Sequence, residues 1–215
     1  MNPTLALWRD RLERIVRARD DSDPSHDLGH FRRVWMLSRT LAAAEAPEAD
    51  MLVLLAASYL HDLVNTPKDS PARATASRLS AERAVVLLRE AAFPADRLDA
   101  VHHAIEAHSF SAGIEPRSRE AEILQDADRL ESLGAIGLAR LFAVSGRMGR
   151  LLFDPDDPFA ERRPLDDVAS ALDHVKTKLD RLPGLMRTAT GRRLAEARLA
   201  FVHRFLEQLA RELAP

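Results

Sequence analysis

The 215-residue chain carries 46% hydrophobic and 30% charged residues, the balance of a globular protein long enough for a sizeable core. Its formal charge of −2 excludes the global basic field of a non-specific nucleic-acid binder. With no cysteine there is no disulfide framework and no thiolate metal site, so any bound metal must take nitrogen and oxygen ligands. Positive charge is almost all arginine; the only lysines are Lys68, Lys176 and Lys178. The N-terminal stretch MNPTLALWRDRLERIVRARD has neither the apolar core of a signal peptide nor a transmembrane run. A cytoplasmic protein without a nucleic-acid or membrane partner is expected.

Strand signals are weak, because aromatics are 5% and β-branched residues rarely cluster; an all-α fold is predicted. In chain order, a helix is predicted over about 4–20, then a loop rich in Asp, Ser and Pro over 20–25. Asp27 suits the N-cap of a helix over about 28–45, which Ala46-Pro47 ends. A central helix over about 48–62 contains MLVLLAASYL, the most continuously apolar stretch of the chain. The two-proline segment NTPKDSPARATASRLS runs into a helix over about 75–92. Pro94 opens a helix ending near His108, and SFSAGIEPRS is a loop. Helices over about 119–130 and 133–148 are split around Gly134. FDPDDPFAERRP is a polar loop with three prolines, and two helices over about 166–180 and 184–213 close the chain. Leu194, Phe201, Phe205 and Leu209 give the last helix an apolar face. No internal repeat or low-complexity linker interrupts this order, so residues 1–215 are expected to form one domain; the 154–164 loop is the one stretch that reads as a boundary.

His61-Asp62 closes the apolar run 51–60. An imidazole and a carboxylate at the end of a buried helix are costly to desolvate without a partner, and a divalent cation supplies one. His30, in SHDLGHFRRV, and Asp128, in LQDADRL, are two further candidate ligands. Two His and two Asp suit a borderline or hard cation and leave positions for water and a phosphate oxygen. His26, Asp27 and His30 lie near one helix face. Either the two histidines form a ligand pair, or one imidazole ligates while Asp27 orients it or caps the helix. Asp126 and Asp128 point to opposite sides of a helix, so Asp128 alone is expected at the metal, with Asp126 behind it or in solvent. His108 shares the core face of its helix with Val101 and Ile105, as a hydrogen-bonded core histidine or as a pocket wall. His102, with Glu106 one turn on, reads as a surface feature.

The order His30, His61-Asp62, Asp128 resembles the HD-domain superfamily of metal-dependent phosphohydrolases. The strings SHDLGHFRRV, LLAASYLHDLVNTPKDSP, IEAHSFSAG and LQDADRLESLGAIGLAR look most like its small bacterial subfamily of predicted HD phosphohydrolases, strongly over about 20–145 and more loosely beyond. ADRL is also similar to the segment carrying the last Asp ligand of the bifunctional alarmone hydrolases. The resemblance implies an HD-type helical bundle with additional C-terminal helices packed on it. It implies one divalent ion (Mn, Mg, Fe, Co or Ni) held by His30, His61, Asp62 and Asp128. It further implies hydrolysis of a phosphate ester or anhydride by water activated at that ion, with a nucleotide or related small phosphorylated metabolite as substrate. Charge on the non-bridging oxygens would then be met first by Lys68, then by Arg78 and Arg73, with Ser109 and Ser111 able to hydrogen-bond a phosphate. Asp27, Asp62 and His108 are the candidates for proton transfer. Two alternatives are a non-catalytic sensory module, against which the complete ligand set argues, and a di-iron oxygenase, against which the lack of histidine from Leu63 to Val101 argues. The C-terminal helices offer a dimer surface, so a monomer or a homodimer is expected.

Overall fold

Helices make up the regular structure of the protein, whose computed structural model describes residues 2–18, 27–64, 75–109 and 112–214. Among those residues there are nine α-helices and no strand, only an isolated parallel bridge between Leu151 and Ser170. The chain divides into two compact units, Met1–Asp128 and Arg129–Pro215. The predicted loop at 20–25, together with His26, Lys68, Arg73 and Ser111, lies outside the described residues. No helix of the described residues is long and apolar enough to cross a membrane.

In the first unit α1 (Pro3–Arg17) starts on a proline, with the Asn2 side chain accepting the Thr4 N–H at 2.8 Å. Asp27 caps α2 (Leu28–Glu45) as the sequence predicts. Asp50 caps α3 (Met51–Leu60), its Oδ1 accepting from Leu52 and Val53. No charged residue occurs in α3, and everything from Val53 to Leu60 is buried. It therefore sits at the centre, packed on α1, α2 and α5 (Leu98–His108). After Pro94 a 3-10 turn over Ala95–Arg97 introduces α5, and α4 (Ala76–Glu90) lies against it. Helix α6 (Arg119–Leu130) carries the chain out of this unit. Leu12, Phe31, Leu54, Leu55, Leu88, Ile105 and Leu124 are fully buried, each stabilising the fold by about 1.5–3 kcal/mol. Trp8 meets Phe93 edge-on, with centroids 4.8 Å apart.

The second unit contains α7 (Gly134–Arg147), α8 (Asp173–Thr177) and α9 (Ala189–Leu213). α7 packs on α9, where Phe142 meets Phe205. The helix predicted over 166–180 is reduced to the five residues of α8 and a 3-10 turn at Leu179–Arg181. The reason is non-local. The N–H groups of Ala171 and Leu172 are spent on the carbonyls of Leu151 and Leu152, and Asp166 Oδ1 takes those of Val168 and Ala169. A second 3-10 turn, Pro183–Leu185, stands where the last helix was expected to begin. α9 starts at Ala189, with the Thr188 hydroxyl accepting the Gly191 N–H at 2.9 Å.

Candidate metal centre

Three helices and one helix start bring His30, His61, Asp62, His108 and Asp128 together. His30 lies in the first turn of α2. Asp27 Oδ1 accepts the His30 backbone N–H at 2.8 Å, so this carboxylate fixes the histidine through the main chain rather than through its ring. Gly29 leaves room for that cap, since a Cβ there would lie 3.1 Å from Asp27 Oδ1 and from Arg33 Nη1. His61 is the C-cap of α3, and Asp62 follows in the turn. His108 ends α5, and Asp128 stands in the last turn of α6.

His30, His61 and His108 are buried; the Asp62 and Asp128 side chains keep 22% and 28% of their surface exposed, so the cluster opens to solvent on its carboxylate side. The Nε2 atoms of His30 and His61 stand 3.2 Å apart. Asp128 Oδ1 is 3.6 Å from the first and 3.7 Å from the second. Asp62 spans two histidines, with Oδ2 3.5 Å from His61 Nε2 and Oδ1 3.4 Å from His108 Nε2. Two overlapping groups, His30/His61/Asp128 and His61/Asp62/His108, can each hold a metal ion.

Tautomers sharpen this picture. His61 Nδ1 is 3.0 Å from the Ser58 carbonyl and His108 Nδ1 is 2.6 Å from that of Ile105. A carbonyl only accepts, so each Nδ1 carries the hydrogen and each neutral ring turns the lone pair of Nε2 toward the cluster. Lone pairs and carboxylate oxygens thus converge at 3.2–3.7 Å, mostly beyond hydrogen-bond length, around a volume that calls for positive charge. The titration shifts say the same. Burial pushes Asp128 up, but the neighbouring imidazoles of His61 and His30 outweigh it and hold the carboxyl well below the usual range. Burial disfavours charge on His108, yet the Asp62 carboxylate raises it above its ordinary 6.5. Each group offers two imidazole nitrogens and one carboxylate oxygen, donors that fit a borderline or hard divalent cation.

Other predicted residues fall outside this cluster. Asp126 is fully buried, which removes the solvent-exposed reading of it, and it belongs to neither metal-competent group. Arg78 lies on the exposed face of α4, 3.5 Å from Glu82. Ser109 caps α5, part-buried, immediately after His108. His102 is part-exposed with Glu106 3.8 Å away, as a surface feature should be. Sequence reasoning missed Ser58 and Ile105, the carbonyls that set the two tautomers; their position three residues before a helix-ending histidine is the signal that could have found them. It also missed Gln125, which donates to the Ala107 carbonyl at 2.8 Å and ties α6 to α5 beside His108.

Residues 27–133 match the family model of the HD domain, and the chain belongs to the HD-domain family. The His/Asp cluster lies wholly within that match. Within the family the chain is similar to YpgQ of Bacillus subtilis, at 32% identity over 197 residues covering 90% of this chain and 87% of that protein. The crystal structure of B. subtilis YpgQ in complex with ADP superposes with a TM-score of 0.72 at 31% identity, over 95% of this chain and 97% of that one. That of an HD-superfamily hydrolase from Bacillus thuringiensis gives 0.70 at 27% identity, over 97% and 96%. The all-helical HD fold and the subfamily expected from the sequence are thereby established.

Proposed function

We propose that the protein is a divalent-metal-dependent phosphohydrolase acting on a nucleotide or a related small phosphorylated metabolite. The observation that carries this reading is the meeting of His30, His61-Asp62 and Asp128, from three separate stretches of chain, with acceptor atoms 3.2–3.7 Å apart. These four residues would hold the ion, one of Mn, Mg, Fe, Co or Ni. When bound, the ion supplies a polarised water and a Lewis-acid contact to a phosphoryl oxygen.

The chain's own groups do the rest. The Ser58 carbonyl keeps His61 in the ligating tautomer, and the Asp27 cap holds the His30 backbone. His108, facing Asp62 with the lone pair of its Nε2, is the group we assign to take up a proton there and pass it to the leaving oxygen. Asp27 is engaged as a cap, which leaves Asp62 to take part through its second oxygen. Lys68, Arg73 and Arg78 are proposed to meet phosphate charge, with Ser109 beside His108 as a hydrogen-bond donor. The hydrolase name of the B. thuringiensis relative supports the reaction class, and ADP bound to YpgQ supports a nucleotide.

The test is a screen of nucleoside mono-, di- and triphosphates and simple phosphodiesters with Mn2+ added. Hydrolysis is expected, with Asp62→Asn losing at least about 100-fold in kcat while its helical circular dichroism is unchanged. Wild-type-like turnover by that variant would remove the assignment.

A further inference from the structure

Asp50 touches the N-terminal ends of three helices at once. Its Oδ1 caps α3 through Leu52 N–H at 2.9 Å and Val53 N–H at 3.3 Å. Its Oδ2 accepts from Arg97 Nε at 2.6 Å, where α5 begins, and Arg97 is the N-cap residue of that helix. Its own backbone N–H donates to Glu120 Oε1 at 2.9 Å, in the first turn of α6. Each of these helices carries a residue of the candidate metal centre at its other end: His61-Asp62 on α3, His108 on α5 and Asp128 on α6.

The spacings match. His61 lies eleven residues beyond Asp50, and His108 lies eleven beyond Arg97. At 1.5 Å per residue both intervals span about 16 Å. Asp50 meets Arg97 at one end of this ladder, and Asp62 meets His108 at the other at 3.4 Å. Glu120 precedes Asp128 by eight residues, about 12 Å of helix. α3 and α5 therefore run parallel and in register, and the contact that fixes the register is remote from the site. Sliding one of them by a single residue moves its ligand by about 1.5 Å, enough to take it out of a shared coordination shell.

We infer that Asp50, with Arg97 and Glu120, is a register clamp: a set of positioning residues that aligns three helices so that His61, Asp62, His108 and Asp128 meet. This rests on the metal-site reading above. Neither Asp50 nor Arg97 touches the cluster, so their effect on it must travel along the helix axes.

The experiment uses the full chain. Arg97→Gln loses the charged Nε contact, Glu120→Ala loses the acceptor, and Glu120→Gln keeps an acceptor oxygen in place. Arg119→Ala is the control, since it removes the exposed Arg119–Glu122 pair on the same end of α6 and leaves the Asp50–Glu120 bond in place. Two quantities are read: the Mn2+ dissociation constant by calorimetric titration, and the imidazole 15N resonances of His61 and His108 in metal-free protein. Arg97→Gln and Glu120→Ala are expected to weaken Mn2+ binding at least threefold and to shift both resonances. Glu120→Gln and Arg119→Ala should match the wild type in both. A lower melting temperature with unmoved resonances and unchanged Mn2+ affinity would make the three residues merely structural and overturn the clamp. If the wild type binds no Mn2+, the metal reading falls, and the imidazole resonances still decide the clamp.

Discussion

Glu13 shows how one side chain in this fold carries several obligations. Its Oε1 accepts from Arg32 Nε at 2.8 Å and from the Tyr59 hydroxyl at 3.0 Å, and its Oε2 takes Arg32 Nη2 at 2.6 Å. One carboxylate of α1 thereby joins α2 to α3, two residues from His30 on the first and two from His61 on the second. Arg32 is the main reason that the Glu13 carboxyl is held below its ordinary 4.5, against the opposing effect of burial. Burial and the Glu13 charge push the Tyr59 hydroxyl above its ordinary 10. Because the folded value for Glu13 lies below the unfolded one, its contribution is fully present above about pH 4.5 and is lost as pH falls through the folded value. Glu13→Gln is therefore expected to flatten the acid limb of the urea midpoint plotted against pH; a limb as steep as the wild type's would show that Glu13 is not its source. Tyr59→Phe deletes one hydrogen bond to a charged group and should cost about 1.5 kcal/mol in the same unfolding measurement.

At the scale of elements, two glycines of α7 make opposite predictions. A Cβ on Gly137 would fall on the Ser132 carbonyl oxygen, backbone that cannot turn aside, in the tight turn that Gly134 makes at φ 72°. Gly137→Ala should lower stability by about 3 kcal/mol. Gly146 meets nothing within 4 Å and is helical, so Gly146→Ala should raise stability by about 0.5–1 kcal/mol. Chemical denaturation of both variants checks the pair, and equal effects would contradict the packing described. The same scale explains what the sequence concealed. Asp27, Asp50 and Thr188 begin helices by contacts within three residues, the kind of signal a sequence displays, although only the first was read in advance. The segment 166–172 looked helical by composition, yet its backbone is claimed by Leu151 and Leu152, some twenty residues earlier.

For the whole molecule, the proposed metal site would link ion binding to folding. Acceptor atoms drawn together from α2, α3, α5 and α6 repel in the absence of positive charge, and an ion that binds only the folded form stabilises it by mass action. Adding Mn2+ at about 100 times its dissociation constant should stabilise the wild type by about 2.7 kcal/mol, and Asp128→Asn should abolish most of that gain. Thermal melts with and without the ion provide the measurement; an equal gain in both proteins would place the ion elsewhere.

The amino-acid order alone determined the helical class, the start of α2 at Asp27, the buried character of α3 and membership in the HD-domain family. Those follow from local propensity, capping and motif spacing, which act over a few residues. Only the tertiary structure decided that Asp62 faces two histidines, that Asp126 is buried, that Asp27 grips the His30 backbone, and that Asp50 meets Arg97 and Glu120. Directions and distances across helices depend on how their axes are packed and on which atoms compete for each hydrogen bond, and those quantities are set by partners as many as 70 residues away in sequence.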